Sequence, residues 1–434
     1  MKSTLFATTI LAASVAVPAF GADKPFDGVT LRVLSTQQPW DAEVQKRVAQ
    51  FEEKTGATVE FDLYAFGQTV QKVAVELTSK SPAYDVVFLE ASDVPRFVPG
   101  GFLEPLDGYV ETAKFDIDDF IPSTIAAETV DGKLYGIPYF AATQLMYYRG
   151  DVLKAAGFDA PPKTFEELIS MCGKLQTQDM PCTALRGKAN TSENIWYWTQ
   201  ILYGYGGHWV KDFPNDMTPT INSPEAVKAA EAYVKLLQDY SIPGSASAGY
   251  DEVVVAMQQA NVAIAIEGAP LAGRILDPKL SKVSGELGFA VTPGGPAGVF
   301  APFSAQGWNV NAASRNKEAA AAFILWATSK EIVKDISTNS SFLAVTRNSI
   351  WADAAFEAKH GYDFGYGSFT KAYAATLAVG AKDYRLPFAE FRPMADRVGL
   401  ALQEAAVGKK TAQQALDDAQ ADVTTIMKRA GYLK

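Results

Sequence analysis

Apolar and polar residues alternate along Val29-Thr-Leu-Arg-Val-Leu34, the two-residue period of a strand with one buried face. The period then changes. Beyond the polar loop Ser35-Thr-Gln-Gln-Pro-Trp40, Val44, Val48 and Phe51 share one face of a helix with Asp41 as its cap and Gly56 as its terminator. Thr58 to Leu63 returns to strand spacing and completes a β-α-β unit. The pattern repeats, with Val70 to Lys80 as helix and Tyr84-Asp-Val-Val-Phe-Leu89 as a buried strand leaving through Glu90-Ala-Ser-Asp93. Ligands of open α/β sheets bind beyond the carboxyl ends of strands, so Gln38, Trp40 and Glu90 are candidate contacts. Trp40 suits a ligand contact or a lid on the core, and Glu90 suits a hydroxyl acceptor or a helix-capping surface acid.

Further along, Thr164 and Glu167 form a capping box ahead of a face made by Phe165, Leu168, Ile169, Cys172 and Leu175. Trp196-Tyr197-Trp198 is the densest aromatic cluster. Aromatic faces stack on the CH-rich face of a sugar or polyol, and Trp196 and Trp198 cannot share one helical face, so one of them points into the core. Ser223 and Pro224 open another helix. Ala260-Asn-Val-Ala-Ile-Ala-Ile266 is a buried strand that exits at Glu267, an acid suited to ligand binding or to a structural salt bridge. Leu416, Ala419, Val423 and Ile426 stripe the last helix, behind a capping box at Thr411 and Gln414.

Composition narrows the class. A chain of 434 residues suits two or three domains, and 48% apolar with 20% charged residues is ordinary for a globular protein. A formal charge of −10 and no basic run argue against nucleic acid as a partner. Met1-Lys2, the apolar run Leu5 to Val17 and the small residues around Ala19-Phe20-Gly21 read as a signal peptide over residues 1–22. No cysteine stands at the cleavage region, so the expected product is free in the periplasm rather than lipid-anchored. Cys172 and Cys182 suit a disulfide there or two buried thiols. With two histidines in the chain, a Cys/His metal site is not expected.

The stretch from Asp131-Gly132 to Tyr148 is β-rich, yet Pro138 cannot donate to a central ladder, which suits an extended connection between two bodies. Its Gly-Lys-Leu-Tyr-Gly-Ile-Pro-Tyr and Tyr-Tyr-Arg resemble the first lobe crossing of family 1 extracellular solute-binding proteins, the maltose-binding-protein-like receptors of bacterial ABC importers. Pro161-Pro-Lys-Thr-Phe-Glu-Glu-Leu168, Gln306-Gly-Trp-Asn-Val310 and the closing helix from Gly408 are similar to that family's later segments, in the same order. Arg186-Gly-Lys-Ala followed by Glu193-Asn194 resembles a subgroup taking sugar alcohols and small sugars.

The resemblance implies a periplasmic-binding-protein-like α/β fold of two lobes, a hinge of several crossings and a cleft between them. Residues 23–137 with 304–343 would form lobe 1, and 138–303 with 344–434 lobe 2. The implied function is delivery of a carbohydrate or polyol to membrane permease subunits, as a monomer, without cofactor, metal or catalytic residue. Candidate contacts are Gln38, Trp40, Glu90, Tyr139, Arg186, Asn194, Trp196, Trp198, Glu267, Trp308 and Arg347, the last also able to lock the hinge by an ion pair. Two other readings stay open: a two-carboxylate glycosidase using Glu90 and Glu267, and a ferric-ion receptor using Tyr147 and Tyr148, one of which is core.

Overall fold

The expected β-α-β units close into one sheet whose longest strand serves both halves of the molecule. The computed structural model describes residues 24–189, 193–283, 285–381 and 384–433, and the expected signal peptide lies outside them. In chain order the strands are β1 (Thr30–Thr36), β2 (Thr58–Tyr64), β3 (Val86–Glu90), β4 (Thr129–Val130) and β5 (Lys133–Leu134). Then come β6 (Gly136–Arg149), β7 (Thr183–Ala184), β8 (Val210–Asp212) and β9 (Asp216–Pro219). The last are β10 (Ile264–Gly268), β11 (Leu287–Ala290), β12 (Ala301–Val310) and β13 (Gly380–Ala381). The sheet runs β2-β1-β3-β12-β6-β10-β7, with β11 added to β6 and β13 to β12.

β6 is the element that makes two lobes from one sheet. Its first half, Gly136 to Thr143, pairs with β12 of the first lobe, and its second half pairs with β10 from Gln144 onward and with β11 from Met146. The expected extended connection between two bodies is thus one continuous strand, which takes part in the sheet despite Pro138. Pro138 is tolerated because the register shifts there, with Gln306 opposite Phe140 and Gly307 opposite Pro138, leaving Tyr139 as an extra residue. The other side of this half is covered by irregular chain: Ala141 N–H donates to Ala344 O at 3.1 Å, and Thr346 Oγ1 to Pro138 O at 2.9 Å.

Trp40, Phe88, Tyr139, Trp308 and Phe323 are central to the first lobe's core, and Phe165, Trp198, Trp209, Tyr233 and Leu416 to the second's. The boundary expected at residue 343 falls near a segment that stays with the first lobe, since His360 Nε2 lies 2.7 Å from Ser337 O. Of the two expected capping boxes, Thr411 and Gln414 cap each other, while Thr164 accepts from Glu167 N–H at 3.0 Å but Glu167 turns its carboxylate to Lys163 N–H at 2.7 Å. Asp41 does not cap. It lies inside the helix Pro39–Gln45 with its carboxylate buried, accepting from Ser35 and from Thr36 Oγ1 at 2.9 Å. Cys172 and Cys182 are disulfide-bonded across a Cα separation of 5.2 Å.

Glu128 is fully buried where β6 and β12 both carry glycine, and a Cβ on Gly136 or Gly307 would stand 2.3 Å from a carboxyl oxygen. Burial pushes its pKa to about 8, against one hydrogen bond from Asn309. Between the ordinary value of 4.5 and the folded value, the folded state holds the extra proton, so stability falls as pH rises through that window. Glu128→Gln is expected to raise the thermal midpoint, by more at about pH 8 than at about pH 5. A midpoint lowered at both values would mean that the site requires the carboxyl group itself, which a neutral amide does not replace.

Candidate functional site

Strand directions bring two carboxylates to the crossing. β3 runs antiparallel to β12 and ends with Glu90 beside Gln306, which in turn lies beside Phe140 of β6. From the other lobe, β10 runs antiparallel to β6 and ends with Gly268 beside Gln144. The carboxyl ends of β3 and β10 therefore converge on Phe140 to Gln144, the place where an open α/β sheet offers a binding site.

Each carboxylate meets a guanidinium. Arg186, which leaves β7 next to β10, forks onto Glu267, with Nε 2.5 Å from Oε1 and its NH2 nitrogen on Oε2. Glu267 is inaccessible to solvent and also accepts from the Gly268 N–H at 2.7 Å. Burial works against the Arg186 charge, but Glu267 holds the guanidinium's pKa above its usual value. Glu90 is gripped by Arg385, and Arg392 lies 3.7 Å from the same oxygen. Arg385 and Arg392 belong to a segment anchored in the second lobe's core by Leu386 and Phe391, so this ion pair joins the lobes.

Between the two pairs stand Trp196 and Tyr384, edge to face with ring centroids 5.0 Å apart, over Ala142 and Phe140. Trp196 sits in the helix Glu193–Gly204, and its backbone carbonyl accepts from Gln144 Nε2 at 3.0 Å. Four buried atoms here lack a hydrogen-bond partner: Trp196 Nε1, Tyr384 Oη, Gln144 Oε1 and Gln306 Oε1. Burial pushes the Tyr384 pKa up, with Glu90 adding to the effect, so its hydroxyl stays neutral and both donates and accepts. Unpartnered atoms occur in both cores as well, among them Trp40 Nε1 and Trp198 Nε1. This set differs because both lobes contribute to it on neighbouring residues at the crossing. A donor, two acceptors and a hydroxyl match hydroxyl groups, while the indole and phenol faces match carbon–hydrogen surface.

The other sequence candidates lie elsewhere. Trp40 stacks on Tyr139 at 5.2 Å, and both pack on Trp308 within the first core. All three are buried. Gln38 is half-buried ahead of the helix Pro39–Gln45. Trp198 packs edge to face on Trp209 in the second core, so Trp196 is the tryptophan that faces the crossing. Asn194 is buried and donates to Gly399 O at 2.8 Å. Arg347 is fully buried against Asp116 and Asp119, both residues of the first lobe. Tyr147 donates to Gly268 O at 3.0 Å and Tyr148 to Tyr366 O, and burial pushes both pKa values up. These phenols are committed to backbone carbonyls, which gives the ferric reading no support; the described residues hold no metal-binding cluster of His, Cys, Asp and Glu. Glu90 and Glu267, each held by arginine, do not stand as a free acid and nucleophile.

Comparison with known families bears on this geometry. The profile described as "Bacterial extracellular solute-binding protein" matches residues 35–334, a span that contains the crossing strand and both carboxylates. The chain belongs to this family. Among relatives of this solute-binding protein, the mannitol-binding protein of Pseudomonas aeruginosa is 28% identical over 381 residues, 84% of this chain and 85% of that one. A solute-binding protein of Agrobacterium radiobacter, solved in complex with ribitol, is 27% identical with a TM-score of 0.81, covering 93% of this chain and 100% of its own. Another from Agrobacterium vitis, with bound D-mannitol, is 26% identical with a TM-score of 0.82, covering 94% and 100%. The family and these relatives are binding proteins of transport systems rather than enzymes.

Proposed function

We propose that this solute-binding protein is the periplasmic receptor of an ABC importer for a sugar alcohol or a closely related small sugar. It hands its ligand to membrane permease subunits and acts as a monomer, without a catalytic step. The observation that carries the reading is the set of unpartnered polar atoms from both lobes, Trp196 Nε1, Tyr384 Oη, Gln144 Oε1 and Gln306 Oε1, between two arginine–carboxylate pairs. The mannitol and ribitol named for its relatives support the same class of ligand.

In this reading lobe 1 comprises residues 23–137 with 304–343 and lobe 2 residues 138–303 with 344–434, with the segment up to His360 packing on lobe 1. Ligand held by one lobe adds contacts to the other, so closure is favoured by the differential affinity of the two states. The export reading of residues 1–22 supports a periplasmic location.

Titration calorimetry of the mature protein against alditols, monosaccharides and acidic sugars tests this. One alditol or neutral sugar is expected to bind and to be recovered chemically unchanged; no binding across the panel overturns the reading. Trp196→Ala is expected to weaken that binding about thirtyfold, or about 2 kcal/mol, while far-ultraviolet circular dichroism stays native. An undiminished affinity would remove Trp196 from the site.

A further inference from the structure

The Glu90–Arg385 pair has two sides. Toward the crossing, the Arg385 guanidinium lies 5.1 Å from the Tyr384 ring. Away from it, Arg385 borders a second cleft lined by Ser92, Asp93 and Arg96 of the first lobe and by Phe388 and Arg392 of the second. Trp196, Gln144, Gln306, Arg186 and Glu267 do not border this annex. Arg392 reinforces the divide by reaching both Glu90 and Asp93, at 3.7 and 3.5 Å. The side chains of Glu90 and Arg385 are 5% and 16% exposed, so the charges meet largely away from water.

We propose that this ion pair is a partition that sets the maximum length of the ligand. It closes the polyol site at one end and separates it from the annex, so the site takes a single open-chain alditol or one sugar ring and rejects a disaccharide. The proposal rests on the receptor reading above and adds to it a limit on size. The reason is electrostatic as well as steric. A ligand extending past Tyr384 must pull apart opposite charges that are largely buried, and hydroxyl groups replace a guanidinium–carboxylate contact poorly. Replacing the guanidinium with a small side chain removes the obstacle and joins annex to site. The annex carries groups that meet hydroxyls, with Ser92 and Asp93 as acceptors, Arg96 and Arg392 as donors and Phe388 as an apolar wall.

The test is a pair of dissociation constants, for a hexitol and for its glycosylated disaccharide alditol, measured by calorimetry on the full mature protein. The protein as it stands is expected to bind the hexitol and to take up the disaccharide alditol at least about a hundredfold more weakly. In Arg385→Ser the ratio of the two constants is expected to fall by about tenfold or more, equivalent to about 1.4 kcal/mol of discrimination. Arg385→Lys keeps a charge at Glu90 and is expected to retain most of the ratio, which guards against a general effect of substitution. The partition is overturned if Arg385→Ser keeps the original ratio, loses both ligands, or if the unaltered protein binds the two alike. If the unaltered protein binds neither these nor any other polyol or sugar, the receptor reading itself fails.

Discussion

Trp308→Ala is expected to lower the free energy of unfolding by about 3–5 kcal/mol, the range for removing a large buried aromatic. The indole is inaccessible to solvent and packs on Phe323 at 5.5 Å and Tyr139 at 5.4 Å, with Trp40 and Phe61 at 6.3 Å. Its N–H donates to Ser35 Oγ at 2.9 Å, and Ser35 donates to the buried Asp41. Alanine leaves a cavity between these rings and takes a donor from a buried hydroxyl; phenylalanine restores much of the packing but not the hydrogen bond. Urea titration followed by circular dichroism measures the loss. Polyol affinity of the folded fraction is expected to change little. A variant of unaltered stability and much weaker binding would return Trp308 to the cleft.

This reverses the role suggested by sequence, and the reason is strand direction. Alternation along Gln306-Gly-Trp-Asn-Val310 places Gln306, Trp308 and Val310 on one face, but not which end meets the ligand. Because β12 starts at the crossing and runs away from it, Gln306 stands beside Glu90 while Trp308 stands beside Phe88, inside the core. Trp40 takes the core-lid reading of the two that sequence left open, since an aromatic after a polar loop marks the end of a strand, not the direction in which the ring folds. Glu90, Arg186, Trp196 and Glu267 were candidates from sequence because each lies at a strand exit or near a helix start, and the structure places all four at the crossing where the site is proposed. Tyr384 and Arg385 were not. They occupy irregular chain after β13, with no period to reveal them, and their value depends on Glu90 and Trp196, distant in sequence.

Arg347→Ala is the second large effect expected, a loss of about 2–3 kcal/mol: the fully buried guanidinium gives up its packing and hydrogen bonds, while Asp116 and Asp119, 51% and 19% exposed, stay partly solvated. The guanidinium donates to Asp119 at 3.0 Å, Asp116 at 2.9 Å and Thr328 O at 2.9 Å, and lies 4.2 Å from the Phe120 ring. Asp119 tests the mechanism. Burial favours its protonation, but hydrogen bonds from Ser349 and Arg347 hold its pKa below the ordinary 3.8. A depressed folded pKa contributes stability above the ordinary value and loses it as pH falls through the folded one. The gap between the protein and its Arg347→Ala variant should narrow below about pH 3.8 in acid-unfolding titrations. A gap independent of pH would assign the loss to packing on Phe120 instead.

The pairing of β3 with β12 also dictates the order in which the polypeptide can finish. β3 ends at Glu90, and the strand that covers its open edge comes more than two hundred residues later, after most of the second lobe has been made. A ribosome-bound chain therefore carries β1, β2 and β3 with one row of unmet N–H and C=O groups. Closing so long a loop is slow, and such an edge invites pairing with other chains while it waits. The consequence is a delay, because the first lobe stays unzipped until its last strand is available.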